Sequence, residues 1–221
     1  MQIPKTEQER KDLRAELELR KLIAQTESEE LDLSRRKAQA AAHRVYTFYG
    51  AVNPATISAA MAELGVWSRE TPGAPLTVVF NSPGGFVDDG LALYDYLLHL
   101  RSLGHHVTTV ALGRAASMGG ILLQAGDVRV MGPNAFLLIH EVSAGTSGKL
   151  SKMAEDIDFW KRQENKLVDI LAERAKLNPA QIKRRWRKTD WWLDAKQAIE
   201  LGFADVILSP EHLAPKAQSA S

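Results

Sequence analysis

Ser117 stands in Gly113-Arg-Ala-Ala-Ser-Met-Gly-Gly120, between the apolar runs His106–Leu112 and Ile121–Ala125. Small neighbours let the backbone turn sharply and leave room for a carbonyl to approach the hydroxyl. A helix beginning at that turn offers free N–H groups and the positive end of its dipole to a developing anion. An ordinary N-cap serine has the same local sequence, so both readings stay open at this point. A second glycine turn, Asn81-Ser-Pro-Gly-Gly85, closes the apolar run Leu76–Phe80. Its amides suit the cradling of an oxyanion, although a lone Pro-Gly-Gly is only a turn. The two turns lie one strand–helix unit apart, which places them at the same end of neighbouring parallel strands.

His140 closes the run Phe136–Ile139 and precedes Glu141, so its ring lies where the chain leaves the core, a suitable place for a general base. Asp190 follows a basic segment and precedes Trp191-Trp-Leu193, where a carboxylate can orient an imidazole; Asp194 and Asp205 compete for that role. Glu155-Asp-Ile-Asp158 does not form a metal site, because adjacent acids on a helix point in different directions. No metal is therefore expected. Lys183-Arg-Arg-Trp-Arg-Lys188 mixes bases with an aromatic, but no basic surface elsewhere accompanies it, so it reads as a solvated helix end rather than a nucleic-acid grip.

These residues need a scaffold. From Arg44 onward, short apolar runs alternate with amphipathic helices, the pattern of a mixed α/β layer fold. Strands are expected at Val45–Tyr49, Leu76–Phe80, His106–Leu112, Val128–Met131 and Phe136–His140. Helices are expected at Ile57–Val66, ending near Gly65, around Leu91–Leu98, over Ile121–Ala125, from Leu150 to Lys176, after Asn178-Pro179, and from Ala195 to Leu201 before Gly202.

Residues 1–43 differ in kind. Of the first 37 residues, 18 are charged, and the stretch holds no aromatic residue, which is too little apolar surface for an independent core. Leu17, Ala24, Leu31 and Ala38 recur every seven residues, so a long charged helix is expected, either solvated or packed on a neighbouring subunit or partner. The domain reading is an extension over 1–43, a catalytic domain over 44–208 and a flexible tail over 209–221. Across the chain, 28 basic side chains nearly cancel 27 acidic ones, giving no field for nucleic acid or an anionic membrane. Zero cysteines exclude disulfides and a cysteine nucleophile and fit a reducing compartment, the cytoplasm. The polar start is not a secretory signal, and no apolar run approaches the roughly 20 residues that cross a bilayer.

Together, Asn81–Gly85, Gly113–Gly119, Leu138-Ile-His140 and Asp190-Trp-Trp-Leu-Asp-Ala-Lys-Gln-Ala-Ile-Glu-Leu-Gly202 resemble the Clp protease proteolytic subunit (ClpP-like) family of serine peptidases, in order and in spacing, over roughly residues 44–208. The resemblance implies a crotonase-like α/β fold of repeated strand–turn–helix units with a protruding long helix. It implies Ser117 as nucleophile, His140 as base, Asp190 as its orienting partner, and the amides of Gly85 and Met118 as oxyanion hole. The reaction would be endopeptidase cleavage of unfolded polypeptides through an acyl-enzyme, with no cofactor in the active site. It further implies a homo-oligomer of two stacked heptameric rings and an AAA+ unfoldase partner, through which alone ATP would enter. The long charged extension in place of the family's short N-terminal loop, and Glu141-Val142 in place of its usual Gln-Pro, are departures. A phage-type head-maturation protease with the same chemistry and an inactive ring or scaffold subunit are the alternatives. A hydratase or isomerase on the same fold would place acids at the oxyanion hole, and a serine–lysine peptidase would use Lys149 or Lys152.

Overall fold

A computed structural model describes residues 6–42, 44–187 and 189–209. The chain divides into two compact units, Met1–His43 and Arg44–Ser221. The first unit holds one helix, α1 (Glu7–Ala42). Residues 210–221, which include most of the expected flexible tail, lie outside the described residues.

In the second unit, β1 (Val45–Tyr49), β2 (Leu76–Ser82), β3 (Val107–Ala116), β4 (Val128–Met131) and β7 (Val206–Ile207) form a parallel sheet in the order β1-β2-β3-β4-β7. Between them run α2 (Pro54–Glu70), α3 (Val87–Ser102) and α4 (Met118–Leu123). The core gathers where sheet and helices meet: Leu76, Val78 and Phe80 alternate inward along β2, and Leu93, Leu97 and Leu122 close over them. α5 (Leu150–Ala172) is amphipathic and buries Leu167, Val168 and Leu171 near its C-terminal end.

The middle strand serves two neighbours. Thr108–Ala111 of β3 pairs with β4, whereas Arg114–Ala116 pairs in parallel with β5 (Phe136–Ile139). Gly113 makes the change of direction with φ 71°, and a Cβ there would meet the Asn81 side chain at 3.0 Å. β5 also pairs antiparallel with β6 (Trp191–Asp194), so the segment after Asp190 is hydrogen-bonded to the strand that leads into His140.

Several expected boundaries move. Gly113–Ala116, expected as turn, is strand, because its backbone groups are taken up by β5. β5 stops at Ile139, so His140 sits just beyond it. The helix expected over Ile57–Val66 starts at Pro54, where Asn53 and Thr56 form a capping box, and runs through Gly65 to Glu70. Gly65 is buried within it because a Cβ would lie 2.8 Å from the Tyr96 hydroxyl. α5 ends at Ala172 rather than at Lys176. α6 (Pro179–Trp186) and α7 (Ala195–Glu200) begin where expected, each with its own capping box, Asn178 with Gln181 and Asp194 with Gln197. β6 and β7 were not anticipated: each is too short to show a period and exists through its partner strand.

Candidate active site

Ser117 is the only non-glycine residue with positive φ among the described residues, at φ 54° and ψ −124°. Those angles match the first central residue of a type II′ turn, a place glycine normally takes. Three contacts hold it there. The Ser117 amide donates to the Leu138 carbonyl at 2.9 Å, its own carbonyl accepts from Gly120 at 2.9 Å, and the Asn81–Gly85 turn is packed against it. The packing is close enough that a Cβ on Gly84 would come within 2.5 Å of the Ser117 Cβ and 2.7 Å of the Ala116 carbonyl oxygen. Although Ser117 occupies the N-cap position of α4, its hydroxyl makes no capping hydrogen bond. The hydroxyl therefore does not serve as an N-cap, and among the described residues no hydrogen bond engages Oγ.

The bond from Ser117 to Leu138 fixes the serine turn on β5, two residues before His140. Nδ1 of His140 lies 2.6 Å from the Glu141 carbonyl oxygen, an acceptor, so Nδ1 is the donor of that bond, and in the neutral ring this tautomer puts the lone pair on Nε2. Ser117 and His140 line one cavity of about 220 Å³, with Gly85 and Met118 on its wall. Val52 donates to the Gly84 carbonyl and accepts from the Phe86 amide, both at 2.9 Å, bonds that bracket Gly85 without using its N–H. Among the described residues, neither that amide nor the N–H of Met118 at the start of α4 has a backbone acceptor. Ile121, Leu138, Val142, Leu167, Leu171 and Trp186 give the cavity an apolar wall, and Glu141 and Ser143 also line it.

Asp190 is placed differently. It is exposed and makes no hydrogen bond to His140; the two residues line an adjoining cleft with Glu141, Ser143, Trp186 and Thr189. The competing acids are engaged elsewhere. Asp194 caps α7, and Asp205 binds the buried Arg129 through both oxygens, at 2.6 and 3.0 Å, and Arg174 at 2.9 Å. Burial pushes the Asp205 carboxyl up, but its hydrogen bonds to Arg129 and the charges of Arg129 and Arg174 outweigh burial and hold it below the usual range. That network reaches the serine helix: Arg129 donates to Gln124 at 2.7 Å, and Gln124 donates to the Gly120 carbonyl at 3.1 Å.

Neither candidate lysine base lines the Ser117 cavity. Lys152 is bonded to Asp156, which raises its pKa, the wrong direction for a base. Two participants are not legible as side-chain chemistry, the Glu141 carbonyl and Gly84. The third, Trp186, is buried and forms part of the cavity wall within a segment read as a solvated helix end. Its signal was a single large apolar ring amid five bases.

A strained serine at a parallel strand end, a histidine with a free nitrogen and two adjoining turns with unused amides define a hydrolase-type site. The Clp protease family model matches residues 28–211. The chain is 36% identical over 152 residues to the "ATP-dependent Clp protease proteolytic subunit 3" of Streptomyces coelicolor, covering 66% of this chain and 67% of that protein. It is 35% identical over 159 residues to the "ATP-dependent Clp protease proteolytic subunit 1" of Chlamydia muridarum, covering 68% of this chain and 80% of the relative. The chain belongs to the Clp protease family. Among the described residues, no helix is long and apolar enough to cross a membrane, and no group of three or more His, Asp or Glu residues could hold a metal ion.

Proposed function

We propose that the chain is a serine endopeptidase that cleaves unfolded polypeptides through a Ser117–His140–Asp190 triad. His140 Nε2 takes the Ser117 proton as Oγ adds to the scissile carbonyl, and the oxyanion forms against the amides of Gly85 and Met118. The tetrahedral adduct collapses to an acyl-serine as His140 returns the proton to the leaving amine. Water, deprotonated by the same nitrogen, then releases the acyl group and regenerates Oγ–H. In this reading Asp190 moves in from the adjoining cleft to replace the Glu141 carbonyl as the acceptor of Nδ1–H and stabilises the imidazolium, and the site needs no cofactor. The observation that carries it is the strained Ser117, held with an unbonded hydroxyl on the same cavity as a histidine whose Nδ1 is already occupied. Strain of this kind persists only where surrounding structure enforces it.

The relatives are named proteolytic subunits of an ATP-dependent protease. By that likeness we assign this chain to a ring-forming homo-oligomer in the cytoplasm, fed by an AAA+ unfoldase. Fluorophosphonate labelling mapped by mass spectrometry tests the catalytic core. An adduct on Ser117 that disappears in the His140→Ala variant supports the nucleophile–base pair. A folded, assembled chain that takes no adduct, or takes it equally without His140, refutes it.

A further inference from the structure

Ser117 keeps its unusual backbone angles only while its neighbours hold them, and one of the bonds that do so comes from Gly120, whose N–H donates to the Ser117 carbonyl at 2.9 Å. The Gly120 carbonyl in turn accepts at 3.1 Å from Nε2 of Gln124, the residue that closes α4. With six residues, α4 is too short to hold its own shape. Its last turn is tightened: the backbone N–H of Gln124 goes to Ile121 at 2.9 Å, three residues back. The Gln124 side chain reaches the carbonyl four residues back that this N–H bypasses. Nε2 also donates to the Phe203 carbonyl at 3.2 Å, beyond α7, so one carboxamide joins the serine helix to a segment 79 residues away.

Gln124 is 5% exposed, and a buried amide has two ends of nearly equal shape but opposite hydrogen-bonding character. Arg129 decides which end faces the helix. Its guanidinium carries donors alone, so at 2.7 Å it meets Oε1, which leaves both Nε2 hydrogens for the two carbonyls. Asp205 fixes the guanidinium through two bonds, from Nε at 3.0 Å and from Nη2 at 2.6 Å. Gln124 does not line the Ser117 cavity, so whatever it does for the site passes through Gly120. We propose that Gln124 is a positioning residue: its carboxamide, oriented by Arg129, holds the Gly120 peptide and through it the Ser117 carbonyl and the first turn of α4. Oγ of Ser117 and the Met118 amide thereby keep their places on the cavity. The inference rests on the reading of Ser117 as nucleophile and extends it to a residue that touches neither substrate nor reacting atoms.

Two full-length variants separate the functions of the amide. Gln124→Glu keeps the side-chain length and an acceptor for Arg129 but loses the Nε2 donor, and Gln124→Met keeps the approximate volume with neither. Fluorophosphonate labelling of Ser117 is followed to completion in samples folded by circular dichroism. The final extent counts competent sites, whereas the second-order rate constant reports how well Ser117 is placed, so a merely structural loss lowers the first and not the second. Both variants are expected to reach the wild-type extent with a rate constant at least about tenfold lower, toward the roughly 100-fold that a displacement of about 1 Å costs. On a peptide substrate kcat should fall by a similar factor, with KM within about twofold of the wild type. Wild-type rate constants in both variants would overturn the inference, whatever the extent. A Glu variant as fast as the wild type beside a slow Met variant would also overturn it, since the role would then belong to the acceptor that Arg129 needs. Should the Glu variant not fold, the Met variant decides alone on the same rate criterion. A wild-type chain that takes no adduct on Ser117 refutes the nucleophile, and this inference with it, before any variant is made.

Discussion

The backbone of Ser117 can be weighed by comparing two inactive variants, Ser117→Ala and Ser117→Gly. Both remove an Oγ that makes no capping hydrogen bond, so the hydroxyl cancels between them. What remains is the Cβ. A residue other than glycine in this part of φ/ψ space costs about 1–3 kcal/mol. Glycine releases that strain but gives back about 0.4–1 kcal/mol through the greater freedom of its unfolded chain. The glycine variant should therefore be the more stable, by about 1 kcal/mol at mid-range, and Ser117→Ala should lie near the wild type. For a folded unit of this size, that difference is roughly 2–4 °C in Tm. Urea denaturation of the two variants, at one protein concentration so that assembly contributes equally, measures it. An alanine variant as stable as the glycine variant, or more so, would mean that Ser117 is not strained, and the structural support for its catalytic role would fall with it.

Gly84→Ala should leave the fold recognisable by circular dichroism but lower kcat/KM on a peptide substrate by on the order of 100-fold, the cost of a displacement of about 1 Å at Ser117, the proposed nucleophile; near-wild-type activity would contradict the close packing of the two turns. Asp190→Asn separates two orienters of His140: a loss on the order of 100-fold or more supports the triad, whereas a loss below about threefold leaves the Glu141 carbonyl as sufficient. The lowered pKa of Asp205 means that the unfolded chain binds the proton more readily than the folded one. Its contribution to stability is thus complete above the ordinary carboxylate value of about 3.9 and is lost as pH falls through the lower folded value. Acid titration of urea midpoints should show a steeper decline below about pH 4 in the wild type than in Asp205→Asn, which begins destabilised because Arg129 is left buried without its partner.

Much of the site was legible because its chemistry is local. Small residues around Ser117 and the Pro-Gly-Gly turn are needed by any backbone that bends so tightly, and the apolar runs before them have strand composition whatever they pair with. His140 was legible as the last residue of such a run. The capping boxes at Asn178 and Asp194 likewise announce helix starts from side chains three residues apart. Where local signals were equivocal, readings went astray: Gly65 looks like a helix stop but is a packing space for Tyr96, and Gly113–Ala116 looks like turn until β5 supplies its hydrogen bonds.

The amino-acid sequence by itself determined the class of fold, the serine turn, the strand-end histidine and the long charged helix, since each depends on residue types at short spacing. Only the tertiary structure decided that Oγ of Ser117 caps nothing and that Gly84 is the glycine pressed against it. It also placed Trp186 in the wall of the cavity, turned Nδ1 of His140 to a backbone carbonyl and set Asp190 in the adjoining cleft. These depend on which distant segments meet, and contacts between segments many residues apart leave no period or spacing in the chain to be read.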